Sequence, residues 1–325
     1  MENSNQFKIL SCAGGGFFCF GQALILAELE RRSGKPVWQL FDAMGGTSGG
    51  AINTGLLALG VSAEKLATFY TQYAPLVFHK DYADIEADTG LAPRYDNTEL
   101  INALKELTTM QTADGERLAT LKDCKVPWMC VTLNVSTSQP ELACSWCPSE
   151  ETPFGKIIGY DDPREMWELI LDSVSAPTYF KGVQQNGQVY VDGGLTGNNS
   201  PDSMLCSIFT EMSAGKQIRM LSLGSGNAPW PWNGDEMINP SVITVAHFVL
   251  NTFLDCDVDS SNLAAFLKLR HNYFHLCPTY NPTFNMADVS TGLSRIPIAI
   301  SDLIQKNQAT LEEFAPVCAS SSSAT

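Results

Sequence analysis

Short apolar segments alternate along this chain with longer ones whose apolar residues recur at helical spacing, and that alternation limits the fold more than any single motif. "FKILSC" (residues 7–12) runs straight into Gly14-Gly15-Gly16, and "QALILAELER" (22–31) then has helical periodicity with Gly34 as a stop. "AINTGLLAL" predicts a helix closing near Gly60. Ser62 predicts a cap for the next helix, and Asn97 or Thr98 a cap for the one after. Residues 126–137 are rich in β-branched side chains and read as a strand. "GQVYVDGG" reads as a strand ending at Asp192, and "IRMLSLGSG" and "NYFHLC" as further strands. Asp162-Pro163 and Ser200-Pro201 each look like a cap followed by proline at the first helical position. A long helical stretch is expected from about 240 to 269, and another at the carboxyl end. Strands alternating with helices imply a mainly parallel sheet covered on both faces, with active sites beyond the carboxyl ends of its strands.

Composition narrows the partners. The chain has 325 residues, 44% of them hydrophobic, enough for a large core, and no composition break suggests a linker. A single domain over residues 1–319 is therefore expected, with a disordered tail at 320–325. Lys and Arg total 20 against 35 Asp and Glu, a formal net charge of −15. Phosphate polymers need clustered cations, so nucleic acid is excluded as the main partner. Adsorption to anionic lipid by charge alone is excluded too, leaving only local, transient apolar contact with a membrane surface. The first ten residues lack a basic region followed by an apolar one, and no apolar run is long enough to span a bilayer. Ten scattered cysteines read as reduced thiols, and the expected location is cytoplasmic.

Three strand ends carry groups with chemical potential. Gly46, Ser48 and Gly50 satisfy G-x-S-x-G between a strand-like end and a helix start, the setting in which a tight turn exposes a serine Oγ. A serine helix cap satisfies the same residues. A hydroxyl needs a base. The histidines available after an acid are His247, His271 and His275, none in a glycine-rich turn, and His79 precedes Asp192. Asp192 is the better base: its strand end is followed by two glycines that allow close approach, and burial in an apolar pocket would raise its basicity. An ordinary Asp-Gly turn remains the alternative. Gly14, Gly15 and Gly16 could gather backbone donors around an oxyanion, or simply allow close packing of strand on helix. Neither a Walker loop nor a dinucleotide fingerprint fits, because Gln22 follows Gly21 and Cys19 stands where the fingerprint needs glycine.

Taken together, the triple glycine after the first strand, "GTSGG" before a helix and "DGGLTGNN" downstream resemble the patatin-like phospholipase family. "SAPTYF" (175–180), "LSLGSG" (221–226) and "MADVSTGL" (286–293) extend the resemblance over most of the chain. It implies a three-layer α/β sandwich with a mainly parallel central sheet, and a Ser-Asp dyad cleaving acyl esters of phospholipids or lysophospholipids. Ser48 would be the nucleophile and Asp192 the base, with Gly14, Gly15 and Gly16 at the oxyanion hole and neither metal nor cofactor. The resemblance also leaves open an acyltransferase or thioesterase, a catalytically weak lipid- or partner-binding protein, and an antiviral effector or bacterial toxin. In the antiviral case a small nucleotide would switch the activity on. The chain departs from the family pattern D-G-G-G-x-[RK]-G at Ala13, Phe18 and Cys19, which removes a cation beside the glycine loop. Phe17, Phe18 and Phe20 are expected either to line an acyl pocket or to pack the first helix.

Two further features stand apart from this reading. Cys144-Ser145-Trp146-Cys147 is a lone CxxC, without the second ligand pair that zinc needs. Trp230 and Trp232 lie in a proline-broken segment that could touch lipid or pack on the core.

Overall fold

The computed structural model describes residues 5–79, 93–177, 179–226 and 258–317. A ten-stranded sheet runs through them. Its centre is parallel: β1 (Gln6–Cys12) lies between β11 (Gln217–Leu223) and β2 (Ala43–Gly46). Outside these come β12 (Tyr273–Leu276), parallel to β11, and β5 (Trp128–Asn134), parallel to β2. Beyond β5 the sheet turns mixed. β6 (Gln139–Cys144) is antiparallel to β5, and β8 (Gly155–Ile158) and β7 (Glu150–Thr152) complete that edge. β3 (Thr109–Thr112) and β4 (Gly115–Leu118) form a separate hairpin.

Helices cover both faces, as a buried parallel sheet requires. The larger apolar cluster holds α1 (Cys19–Ser33), α2 (Gly49–Leu59), α3 (Ala63–Val77), α4 (Thr98–Thr108) and α5 (Met166–Val174), with α7 (Val289–Lys306) and α8 (Gln308–Phe314). α6 (Asp202–Met212) packs on the other face, where Leu205, Cys206 and Phe209 meet Ile9, Ala43, Met129 and Met220. Alternation along β1 places Leu10 in one cluster and Ile9 in the other, the period-two signature of a strand buried on both sides. The fold is therefore the expected three-layer α/β arrangement, with an antiparallel margin.

Most element starts and stops fall where the sequence places them. Gly34 and Gly60 end α1 and α2, and Ser62 Oγ accepts from Lys65 N at 3.3 Å. Asn97 stands at the N-cap of α4 as expected, although the Thr98 N–H is accepted by Asp96 (2.8 Å) and not by the Asn97 side chain. Two caps differ. Asp162 turns onto Arg164, so the helix begins three residues later with Glu165 and Glu168 as a capping box. Pro201, not Ser200, precedes α6. In the first of these a competing side-chain contact is nearer than the helix start. Residues 258–269 are helical, and the carboxyl-terminal stretch breaks at Asn307 into α7 and α8. The rest of the 240–269 helix, the Trp230–Trp232 segment, His247 and the tail lie outside the described residues.

Candidate active site

Two strands end face to face on one edge of β5, and that meeting builds the site. β2 runs parallel to β5 and its last residue, Gly46, pairs with Cys130. β10 (Gln188–Asp192) runs antiparallel from the opposite end, and its last residue, Asp192, pairs with Thr132. Only Val131 separates the two registers. Ser48, two residues beyond β2, is thereby brought to Asp192, although 144 positions of sequence separate them.

Each turn is tight for a sterically defined reason. Ser48 has φ 54° and ψ −131°, a conformation that L-residues adopt only at a cost of about 1–3 kcal/mol. A Cβ on Gly46 would collide with the Gly50 carbonyl, and one on Gly50 with the Cys12 carbonyl, so the glycines flanking Ser48 are obligatory. After Asp192, a Cβ on Gly193 would meet the Val131 carbonyl, which is why the chain can turn against β5 only as Asp-Gly. Ser48 starts α2 without any capping hydrogen bond from its side chain, so the helix-cap alternative does not describe it.

The end of α5 fastens both turns. The Ser48 N–H donates to Ser173 Oγ at 3.1 Å, and Ser173 Oγ donates to the Val131 carbonyl at 2.7 Å. That carbonyl belongs to the one β5 residue left between the two ladders, and an unsatisfied buried carbonyl is costly. Two residues on, the Ser175 carbonyl accepts the Asp192 N–H at 3.1 Å. In the sequence Ser173 carries no signal that separates it from ordinary helix-end chemistry, and Ser175 enters the reading only as the first residue of "SAPTYF", with no role attached.

Asp192 is only 4% exposed and Ser48 8%, so both side chains are buried. Burial pushes the Asp192 carboxyl up to about 6, while hydrogen bonds from the Ser48 hydroxyl and the Gly194 amide (2.7 Å) pull the other way. Among the described residues no cation acts on it. Ser48 borders a narrow apolar pocket with a cavity volume of about 50 Å³, well below the ~300–1,000 Å³ of typical ligand pockets. Ser48, Gly49 and Gly16 lie at its polar end, while Ile52, Phe69, Val77 and Phe180 are among its apolar walls.

The glycine loop divides its donors. The Gly14 N–H is taken by the Asn199 carbonyl at 2.8 Å, so this amide, expected among the free donors, is instead part of the scaffold. Gly15 and Gly16 have no backbone acceptor among the described residues, and a short 3-10 turn over Gly16–Phe18 starts here. The loop is braced from below. Gln22 Nε2 donates to the Ala13 carbonyl (2.8 Å) and the Leu223 carbonyl (2.9 Å), Asn53 Nδ2 donates to Gln22 Oε1 (2.9 Å), and Tyr70 Oη donates to Asn53 Oδ1 (2.8 Å). This buried network locks the loop to the helix that Ser48 begins.

The phenylalanines separate. Phe17 is buried and also borders the pocket, Phe20 is core, and Phe18 packs on Tyr280 and Phe284 with ring centroids 5.0 Å away in each case. His275 is on β12, with Nδ1 2.9 Å from Ser222 Oγ, and no histidine borders the pocket among the described residues. No cluster of three or more His, Cys, Asp or Glu side chains suited to a metal occurs among the described residues, and none of their helices is long and apolar enough to cross a membrane.

A strained serine that borders an apolar pocket and stands against a buried carboxylate, on an α/β sheet, defines the class of site. Comparison then gives the family. The family model for "Patatin-like phospholipase" matches residues 10–205, and the chain belongs to that family. It is 28% identical over 203 residues to a "cGAMP-activated phospholipase" from Pseudomonas aeruginosa, covering 61% of this chain and 55% of that protein. It is 27% identical over 243 residues to the protein of the same name from Vibrio cholerae, covering 68% and 64%. The matches thus span less than two thirds of these relatives' own length. Among solved structures, VipD from Legionella pneumophila aligns over 93% of this chain and 67% of its own, at 10% identity and a TM-score of 0.42.

Proposed function

We propose that the protein hydrolyses fatty-acyl esters of phospholipids or lysophospholipids through an acyl-enzyme formed on Ser48. The observation that carries this reading is the meeting of β2 and β10 on β5, which sets a strained Ser48 against a cation-free, buried Asp192. In the first half-reaction Ser48 Oγ attacks the ester carbonyl as Asp192 takes its proton, and the proton passes on to the leaving alcohol. In the second, Asp192 draws a proton from water, which attacks the acyl-serine and releases the fatty acid. The oxyanion in each step is held by the amides of Gly15 and Gly16, with the amide of Gly49 at the start of α2 adding the helix-end field. The acyl chain lies along the apolar walls of the pocket. The reaction takes place during transient contact between a cytoplasmic protein and a membrane surface.

Fatty-acid release from phospholipid, lysophospholipid and neutral-lipid panels tests this, with Ser48→Ala as control. A fluorophosphonate should label Ser48 and leave Ser48→Ala unlabelled. An unlabelled native protein with no fatty-acid release would favour a lipid-binding role instead. Product analysis with alcohol or thiol acceptors separates hydrolysis from acyl transfer. The relatives from Pseudomonas and Vibrio are named for activation by cGAMP, and we extend to this chain activation by a small nucleotide. Comparing fatty-acid release with and without cyclic dinucleotides checks it; equal rates would remove the nucleotide from the proposal while leaving the dyad intact.

A further inference from the structure

The CxxC segment has no part in the proposed chemistry, yet it is built with more care than an exposed loop needs. Cys144 is the last residue of β6 and is 1% exposed, whereas Cys147 is half-buried. Between and beyond them nearly every residue is tied down. The Ser145 N–H donates to the Trp128 carbonyl (3.0 Å) and Ser145 Oγ accepts the Trp128 N–H (2.8 Å). The Trp146 ring packs on Phe209 at 5.0 Å between centroids. The Cys147 carbonyl accepts the Tyr160 N–H (2.9 Å), and Ser149 bonds both Asp161 and the Gly159 N–H. In this fixed loop Cys147 packs against the same apolar cluster that buries Cys144, two residues of chain away.

A thiol pair with one reachable sulfur and one buried beside it has the layout of a nucleophilic and a resolving cysteine. The Cys144 hydrogen bond also favours ionisation of Cys147, bringing that thiol down to about 7 against the opposing effects of burial and of Glu150 and Asp161. Among the described residues the other half-buried thiols go the opposite way: burial raises Cys124 to about 12 and Cys277 to about 11.

We propose that Cys147 and Cys144 form a peroxide-responsive dithiol that closes to an intramolecular disulfide. The Cys147 thiolate attacks the outer oxygen of a hydroperoxide. The O–O bond breaks, the sulfur is oxidised to a sulfenic acid, and the reduced oxygen fragment leaves as alcohol or water after taking one proton. The Cys144 sulfur then attacks the sulfenic sulfur. Its thiol proton leaves with the displaced hydroxide as water, and an S–S bond remains. A thiol reductant reverses the change. This inference does not depend on the hydrolase reading, since its readout is the state of the sulfurs.

The test is differential alkylation of the folded full-length chain before and after hydrogen peroxide, followed by mass spectrometry of the tryptic segment Val126–Lys156. That segment also contains Cys130, so Cys130→Ala is run in parallel. We expect this segment to lose two hydrogens, with fragmentation placing the link between Cys144 and Cys147 and with Cys130→Ala unchanged. In Cys144→Ser, a 1,3-diketone should trap a sulfenic acid on Cys147. In untreated protein the alkylation rate of Cys147 should reach half its plateau near pH 7, well below the midpoints of Cys124 and Cys277. Three free thiols in the native segment after peroxide, or two in that of Cys130→Ala, would overturn the proposal. A link from either cysteine to Cys124 or Cys130, or a Cys147 midpoint no lower than theirs, would do so as well.

Discussion

Asp172 and Asp192 are both buried carboxyls at the ends of neighbouring elements, and the protein treats them differently. Asp172, at the end of α5, is fully buried and faces Arg164 Nη1 at 3.3 Å. The same guanidinium lies 3.0 Å from Asp162 Oδ1 and 3.8 Å from Glu141 Oε2, so one cation serves three acids. Burial and the neighbouring carboxylates push Asp172 up to about 8 against the pull of Arg164. Asp192 has no such partner among the described residues and is held near 6 by burial, with a hydroxyl and an amide donating to it. A carboxyl that stays protonated at neutral pH can donate a hydrogen bond, whereas one poised near 6 is an unprotonated base when the solution is neutral. The contrast separates a carboxyl that is part of the scaffold from one free to accept a proton.

The sharpest way to break that contrast is to neutralise each acid in turn. Asp192→Asn and Ser48→Ala should each lower fatty-acid release by on the order of 10,000-fold or more, the scale at which a nucleophile or its base is lost. Asp172→Asn should stay within about threefold of the native rate, since no proton leaves that site in the reaction. Equal loss in both aspartate variants would end the distinction. Arg164→Met comes next. Removing the one cation from three buried or half-buried acids should cost about 3–5 kcal/mol, read as a lower urea midpoint. Arg164 also stacks near Tyr190 at 5.5 Å, so part of the loss would be packing.

Smaller in energy is the pH dependence. The folded Asp192 carboxyl titrates about two units above an unfolded aspartate, so the folded state binds the extra proton. This contribution favours the fold fully below pH ~4, is lost as pH rises through the folded value near 6, and is absent at pH 7. Asp192→Asn is spared that loss and should be more stable than the native chain at pH 7 by on the order of 2–3 kcal/mol, the difference vanishing near pH 4. Native activity should show the opposite trend, rising through pH 6 to a plateau as Asp192 ionises. Thermal and urea unfolding at both pH values, beside a pH–rate profile, measure the two trends. An Asp192→Asn advantage unchanged between pH 4 and pH 7 would show that the buried charge is not its source.

The two turns of the proposed dyad are legible in sequence because each rests on local chemistry: a serine flanked by glycines at a strand-to-helix turn, and an aspartate before two glycines at a strand end. Their meeting is not, because it depends on β2 and β10 sharing the edge of β5 from opposite ends. Gly14 shows the same limit. Three consecutive glycines look equivalent until the Asn199 carbonyl, 185 positions away, takes one of their amides. The central strands β1, β5 and β11 are readable from their apolar runs, whereas β2 (Ala43–Gly46) is too short and glycine-rich to show one, and β7 and β9 (Val183–Gln185) at the margin are mostly polar and carry no such pattern. The caps at Asp162 and Ser200 were misplaced because proline after a polar residue marks any turn, and only the neighbouring side chains decide whether a helix starts there.

Ser173 lies next to Asp172 in sequence yet serves the site of Asp192, and it gives the finest test of the comparison. Its hydroxyl accepts from Ser48 N–H and donates to Val131, so Ser173→Ala leaves one buried donor and one buried acceptor without their partner. Each such loss costs ~1–3 kcal/mol when water cannot replace the group. The Ser48 turn is already strained, so some of that cost should appear as a less well positioned nucleophile rather than as lower stability. A fall of roughly tenfold in kcat is expected, with KM nearly constant and the pH midpoint still near 6, because Asp192 keeps its own contacts. Ser175→Ala is the matched control. The Ser175 hydroxyl bonds only the Leu171 carbonyl of its own helix, and it is the Ser175 backbone that holds Asp192. That variant should leave kcat within about twofold, since removing a local helix bond costs ~1 kcal/mol of stability without touching either turn. If Ser175→Ala slowed the reaction as much as Ser173→Ala, the hydroxyl link from Ser48 to Val131 would not be what holds the nucleophile in place.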